Sequence, residues 1–363
     1  MLPSSRKGGG TLQPLRWGIV GAGRIAASFV AALSETSGAV LAAVASRDPE
    51  RARALAGPDK SEVRVHASYE ALVADPSIDA VYVATPAHLH RAHCLLALEA
   101  RKPVLCEKPF ALDSAQAREI VSAARAAGVF CMEAMWMRFT PAARELRTWV
   151  REGRIGRPLS VTASVGFHYR RDPADRLFDA ARGGGALLDL GVYPISLAIS
   201  LLGRPARVTG HLSFGPTGVD EQATALLEFE GGAQASIAAS LRARLGNDAV
   251  VSGDAAVVRV GEPLYCPEVL TLTQAGPISL APPSVLRRTA RAHLPGWARR
   301  LAATLRVRRT WRPVRGNGMG HQIEEVRRCL SAGERESPLM PLDESVATLE
   351  VVDAVRSAAR GAG

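Results

Sequence analysis

From residue 17 to residue 151, short apolar runs alternate with helix-patterned stretches. The runs lie at 17–20, 40–45, 80–84, 104–106 and 129–132; the helical stretches begin at Arg24 and then cover 49–56, 89–99, 113–127 and 141–151. A strand that is apolar at every position is buried on both faces, and strands joined by helices run parallel. The series therefore predicts an α/β fold, a doubly wound parallel sheet covered by helices on both sides. The punctuation agrees. Pro49 follows Asp48 at a helix start, Gly57-Pro58 closes that helix, and Asp113 with Gln116 three residues on resembles a capping box.

After about residue 153 the rhythm changes. Longer strand-like segments follow at 159–169, 206–214, 223–229, 233–241, 249–252 and 257–260, with Glu230-Gly231-Gly232 as a hairpin turn. One glycine-led helix at 184–202 interrupts them, and two terminal helices are expected at about 319–332 and 342–359. This half predicts a C-terminal α+β domain with a large, mostly antiparallel open sheet. The chain's 363 residues exceed what one core usually serves. The expected division is a disordered leader at 1–14, a dinucleotide-binding Rossmann domain at 15–137, and a substrate-binding and dimerisation domain at 138–363. An open sheet face has to be covered, so a homodimer is expected.

The formal net charge of +10 has one source. Residues 281–316 hold ten arginines and no Asp, Glu or Lys, which leaves 35 basic against 35 acidic residues elsewhere. The protein reads as neutral with one Arg-rich insertion, and nucleic acid is not the expected partner. No apolar run approaches the ~20 residues of a membrane span; the nearest candidate, around 191–202, contains Tyr193 and Pro194. Five widely spaced cysteines without a C-x-x-C pair suggest neither a disulfide framework nor a metal site. A reducing compartment, the cytoplasm, is expected.

Gly21-Ala22-Gly23-Arg24-Ile25-Ala26 follows the first strand and opens the first helix. There a G-x-G-x-x-A run has mechanical meaning: the first glycine makes the tight turn, the second lets the backbone approach a pyrophosphate, and the small alanine packs helix on strand. Gly21, Gly23, Arg24 and Ile25 are thereby placed at a dinucleotide. Its ribose is read by the end of the second strand, which carries Ser46 and Arg47 where an NAD-binding chain places an acidic residue. An arginine beside a hydroxyl suits a 2′-phosphate, so NADP is favoured and NAD is the alternative if Asp48 reaches the ribose instead of capping a helix.

Glu107-Lys108-Pro109 ends a later strand, over the crevice where such sheets bind ligands. Desolvation and a cationic nicotinamide would lower the pKa of Lys108 and fit it for proton transfer. In the glycine-led helix Asp189 and Tyr193 stand four apart, which puts a carboxylate and a phenol on one face. On spacing alone a capped, partly buried aspartate and a core tyrosine with a satisfied hydroxyl explain them better than a catalytic pair does.

Taken together, the glycine motif, Thr85-Pro86, Glu107-Lys108-Pro109 and the GGALLDLGVY helix resemble the Gfo/Idh/MocA oxidoreductase family, as do 132–141, 152–158, 228–241, 318–336 and 344–356. The likeness is to its branch of dihydrodiol dehydrogenases, NADP-dependent D-xylose dehydrogenases and glucose–fructose oxidoreductases. It implies that Lys108 is the catalytic lysine, Asp189 its partner and Tyr193 the proton donor or acceptor. It puts Thr85, Pro86, His90 and Glu107 at the cofactor, a cis bond before Pro109, and Trp136, Arg138 and Phe167 at the substrate with Asp189 and Tyr193. Ala87 departs from the pattern, where Asn or Ser is common, and so does the Arg-rich insertion.

The activity implied is reversible hydride transfer between NADP and a hydroxyl-bearing carbon of a sugar, polyol or trans-diol, without a metal. Two alternatives are a transhydrogenase that retains NADP and a non-catalytic NADP-binding sensor whose arginines contact a polyanion.

Overall fold

The first six strands are Leu15–Val20 (β1), Ala39–Ala45 (β2), Arg64–His66 (β3), Ala80–Val83 (β4), Val104–Glu107 (β5) and Cys131–Ala134 (β6). They pair in parallel in the order β3-β2-β1-β4-β5-β6. The order reverses between β1 and β4, which opens a crevice at their carboxyl ends. In this computed structural model residues 13–57, 62–276 and 307–361 are described. The expected leader is therefore outside the described residues except for its last two positions, and so are residues 281–306 of the Arg-rich insertion.

Helices Arg24–Glu35 (α1), Pro49–Ala56 (α2), Tyr69–Ala74 (α3), His90–Glu99 (α4) and Ser114–Ala127 (α5) join these strands. β4, β5 and β6 are buried at every position, as their apolar runs require. In the core under α1, Phe29 stacks on Tyr82 with ring centroids 3.8 Å apart, and Trp17 meets Phe29 edge-on at 5.2 Å. The strand β3 and helix α3 were not among the expected elements. With Arg64 and Val65 exposed, β3 is an outer strand that offers no apolar run to read.

The second half contributes Pro141–Arg151 (α6), Pro158–Gly166 (β7), Val192–Leu202 (α7), Pro205–Phe214 (β8), Asp220–Phe229 (β9), Gln234–Ser240 (β10), Ala249–Gly253 (β11), Ala256–Val260 (β12), Val269–Gln274 (β13) and Val307–Trp311 (β14). Helices Gly320–Ser331 (α8) and Leu342–Gly361 (α9) complete it. The sheet runs β14-β13-β12-β11-β7-β10-β9-β8, antiparallel except for β10 beside β7. α7 and α9 lie against it, and α9 also reaches α5 of the first half. The uncovered face presents Thr209, Leu226, Ser236 and Thr162 in one cross-strand row. The apolar stretch Ala180–Leu202 is long and apolar enough to cross a membrane, yet 83 % of its most apolar window is buried inside the protein.

The glycine-led helix differs from the expected 184–202. It starts at Ala186 and runs through a π-helical turn, Leu187–Gly191, before α7. Gly183 and Gly185 are held at φ +81° and +116°, which no helix allows. Pro194 has no N–H to give the carbonyls behind it, so the backbone bonds of this turn cannot follow the regular α pattern throughout.

β6 starts two residues later than its apolar run, where pairing with β5 begins, and carries Glu133, 2 % exposed, whose Oε1 accepts the N–H of Phe110 at 3.1 Å. Burial pushes this carboxyl up to about 7, so the folded chain holds its proton more tightly than the unfolded one. The stabilisation from that proton is full below about pH 4 and is lost as pH rises through 7, a change of about 3 kcal/mol. Thermal melts of the wild type are expected to fall between about pH 5 and pH 8, and Glu133→Gln to remove one part of that slope. A parallel part from Glu107, also pushed up to about 7 by burial, remains in the variant.

Candidate active site

At the crevice Gly21 turns with φ +103°, and a Cβ there would lie 3.0 Å from the carbonyl oxygen of Ala84 at the end of β4. Gly23 is the N-cap of α1, and a Cβ on it would meet nothing within 4 Å. α1 has no side-chain cap and no acidic residue in its first turn. Its N–H groups and partial positive charge are left for an anion, while Ala26 is fully buried against the sheet. Arg24 and Ile25 are exposed at the mouth. The donor set fits a dinucleotide pyrophosphate.

The ribose end resolves the choice left open by Asp48. Its Oδ1 accepts the N–H of Glu50 at 3.0 Å and of Arg51 at 3.1 Å, capping α2, and Oδ2 pairs with Arg51 at 3.1 Å. Ser46 Oγ accepts the N–H of Asp48 at 3.2 Å, and the exposed Arg47 has no acidic partner among the described residues. Thr85, at the end of β4, is buried with its hydroxyl 3.0 Å from His93 Nδ1.

Lys108 leaves the end of β5 and reaches into the second half. The peptide bond that follows it, to Pro109, is cis. Its Nζ donates to the backbone oxygen of Asp189 at 2.8 Å and lies 3.3 Å from Asp189 Oδ1, while Arg176 Nη1 donates to the same Oδ1 at 3.0 Å. The ammonium also stands 4.9 Å from the Tyr193 ring centroid. Trp136 Nε1 donates to the Tyr193 hydroxyl at 3.0 Å, which leaves the phenol's own proton free for a substrate oxygen. Tyr265 tilts against Trp136, Phe167 and Tyr193 with centroids 5.8 to 6.1 Å apart, and Tyr169 meets Phe167 at 5.9 Å. One side of the site is a wall of aromatic rings and the other a cluster of charge.

Among the chain's own groups, burial lowers the Lys108 pKa, but the Asp189 carboxylate, with Tyr193 behind it, outweighs burial and holds the lysine above its ordinary value. Burial raises Asp189, and Lys108 and Arg176 overcome that to leave it below the usual carboxylate range. Tyr193 is raised by burial, with Lys108 and the Trp136 N–H pulling the other way. Glu107, beneath Lys108, accepts the Tyr82 hydroxyl and the Lys108 N–H.

Arg138 and His90 are held by protein partners. Arg138 is 5 % exposed: Nη1 donates to Ser196 O and Oγ at 3.2 and 3.1 Å, and Nη2 to Leu339 O and to Glu344 at 2.8 and 2.6 Å. It clamps the turn that carries Trp136 to the helix that carries Tyr193. His90 is 1 % exposed, with Nδ1 2.8 Å from Pro109 O and Nε2 2.7 Å from Thr85 O. It ties the end of β4 to the turn after β5 from below. Arg176, Tyr169 and Tyr265 complete the cluster and were not foreseen. Tyr169 closes the expected strand-like segment 159–169 but lies beyond the end of β7, and Arg176 opens a short 3-10 turn before the glycine motif; no motif marks either of them or Tyr265. Among the described residues no group of His, Cys, Asp or Glu is arranged to hold a metal.

Comparison with known proteins agrees with this geometry. Residues 15–135 match the GFO/IDH/MocA oxidoreductase family, NAD-binding Rossmann fold, and residues 143–259 match the GFO/IDH/MocA C-terminal domain. Trans-1,2-dihydrobenzene-1,2-diol dehydrogenase of Macaca fascicularis is 35 % identical over 349 residues, 95 % of this chain and 96 % of that protein. The enzyme of that name in Homo sapiens is 34 % identical with the same coverage. An aldose–aldose oxidoreductase from Caulobacter crescentus, complexed with glycerol, superposes with a TM-score of 0.79 at 25 % identity over 97 % of this chain and 99 % of its own. A 3-ketoreductase from Actinomadura kijaniata, in complex with NADP and TDP-benzene, gives 0.77 at 26 % identity over 95 % and 98 %.

Replacing Trp136 by Phe keeps the aromatic wall and removes one donor to the Tyr193 oxygen. The phenol is expected to titrate higher, so the alkaline limb of the pH–rate profile moves up and kcat falls about two- to tenfold. A profile that coincides with the wild type's would show that the Trp136 bond does not act on the phenol.

Proposed function

The chain belongs to the GFO/IDH/MocA oxidoreductase family, and from that premise we propose that it is an NADP-dependent dehydrogenase acting on a hydroxyl-bearing carbon of a sugar, polyol or trans-diol. The dinucleotide, when bound, supplies hydride chemistry at its nicotinamide. Gly21, Gly23, Arg24 and Ile25 receive its pyrophosphate, with Thr85, Pro86 and Glu107 along the crevice. Asp48's engagement as a helix cap supports NADP, because Ser46 and Arg47, which has no acidic partner among the described residues, are what remains for the ribose.

One observation carries the reading: Lys108, from the first half, meets Asp189 and Tyr193, which stand on one helix 81 and more positions further along the chain. In the reducing direction the Tyr193 hydroxyl gives its proton to the substrate oxygen, and the phenolate left behind is stabilised by the Lys108 ammonium and the Trp136 N–H. In the oxidising direction the phenolate takes the hydroxyl proton back. Asp189 orients Lys108 and, with Arg176, offers hydrogen-bonding groups to neighbouring hydroxyls, while Trp136 and Phe167 cover the apolar face of a ring. Because burial keeps Tyr193 protonated above the ordinary phenol range, oxidation is expected to accelerate with rising pH while reduction stays level and then declines.

The uncovered sheet face, with Leu226 at 39 % exposure, supports a homodimer formed through it. Five free cysteines, four of them buried, support a reducing, cytoplasmic setting.

The test is NADP reduction across trans-diols, aldoses and inositols, followed by nicotinamide absorbance. Turnover is expected on at least one class, with a loss of about a thousandfold or more in Lys108→Met. Arg47→Ala is expected to raise KM for NADP tenfold or more and to leave KM for NAD within about twofold. Tight NADP binding with no turnover in either direction would overturn the reading.

Gel filtration, in turn, is expected to give twice the 38.4 kDa chain mass. Elution at the chain mass would remove the dimer.

A further inference from the structure

The helix that carries Asp189 and Tyr193 starts without a cap of its own. Ala186 stands at its head and offers no side-chain acceptor. The first N–H groups of a helix have no partner within it, and burying them unpaired is costly. Here the acceptor comes from another element. Asp220, the first residue of β9 and 5 % exposed, accepts the N–H of Leu187 on Oδ2 at 2.6 Å. Its other oxygen occupies the space that the missing side chain of Gly185 leaves, since a Cβ there would lie 2.2 Å from Oδ1. The third glycine of the motif is therefore explained twice, by its φ of +116° and by this carboxylate.

We propose that Asp220 is a positioning residue for catalysis: it caps the helix from the sheet and so fixes Asp189, two residues on, and Tyr193, one turn later, relative to Lys108. The proposal rests on the dehydrogenase reading for its kinetic part and on geometry alone for its structural part. A carboxylate at a helix N-terminus is stabilised by the helix dipole. A neutral acceptor keeps the hydrogen bond and loses that attraction.

The charged groups around Asp220 are few. Arg356 of α9 and Asp113 at the head of α5 line the same cavity. Glu221, the next residue, faces Arg171 and Arg242. In the segment before the helix, Arg176 is held by Asp189, and Arg182 by Asp179. Burial pushes the Asp220 carboxyl up to about 6. Its charge is thus lost as pH falls through that value, and the cap weakens on the acid side.

The experiment compares Asp220→Asn and Asp220→Ala with the wild type by hydrogen exchange over residues 183–193, by kcat and KM, and by NADP affinity. In Asp220→Ala exchange over this segment is expected to be at least about tenfold faster, and kcat about tenfold lower, with NADP affinity within about twofold of wild type. Asp220→Asn, which keeps an acceptor, is expected to fall between them. It should also lack the fall in kcat below about pH 6, while the titration of Glu107 persists in all three. Unchanged exchange in both variants would overturn the proposal, and so would a loss of kcat matched by an equal loss of NADP affinity. Faster exchange in a protein whose wild type turns over no substrate would uphold the cap and sink the dehydrogenase reading instead.

Discussion

The site depends on one buried ion pair. Lys108 grows from the end of a parallel strand, yet both oxygens it touches, the carbonyl and a carboxylate oxygen of Asp189, belong to a helix 81 positions further along the chain. An ammonium drawn this far out of water needs a negative partner, or it would lose its proton. Asp189 supplies one, and in doing so ties the end of β5 to a helix of the second half. The same pairing bears on the proposed chemistry: in that reading a lysine held as an ammonium donates and stabilises, and the moving proton is assigned to the phenol beside it.

Around that pair, each supporting contact restricts one degree of freedom. Arg138 binds the Trp136 turn to Ser196 on α7, so the Trp136–Tyr193 hydrogen bond is held at both ends. His90 bridges the ends of β4 and β5. Arg176 shares the carboxylate of Asp189 and keeps it from closing wholly onto Lys108. The polar side of the site is thus held by hydrogen bonds within the chain, as the proposed proton transfer between fixed oxygens would require.

Periodicity made the parallel sheet legible, because strands buried on both faces leave continuous apolar runs at 80–84 and 104–106. The same signal is silent for Arg64–His66, Val269–Gln274 and Val307–Trp311, which lie towards the edges of their sheets and are only partly buried. Motif and resemblance named Lys108, Asp189 and Tyr193, since local spacing and glycine framing survive in one dimension. Arg138 and Arg176 show the limit. Both are arginines near a motif, and only the partners around them, remote in sequence, place one in a clamp and the other beside the reacting groups.

Two helices at the site, α1 behind Gly23 and the helix behind Gly185, begin without a side-chain cap of their own, and the fold treats them in opposite ways. At α1 the first N–H groups are left facing the crevice, with no acidic residue in the first turn, because a bound phosphate will satisfy them. At the helix of Asp189 a phosphate would be in the wrong place, so a carboxylate from the neighbouring sheet fills the role, and Gly185 gives it room. In the proposed reading a cofactor can leave its helix unsatisfied between turnovers, because that helix only binds. The helix that carries Tyr193 would have to keep its geometry through every step, which accords with a cap that is part of the chain.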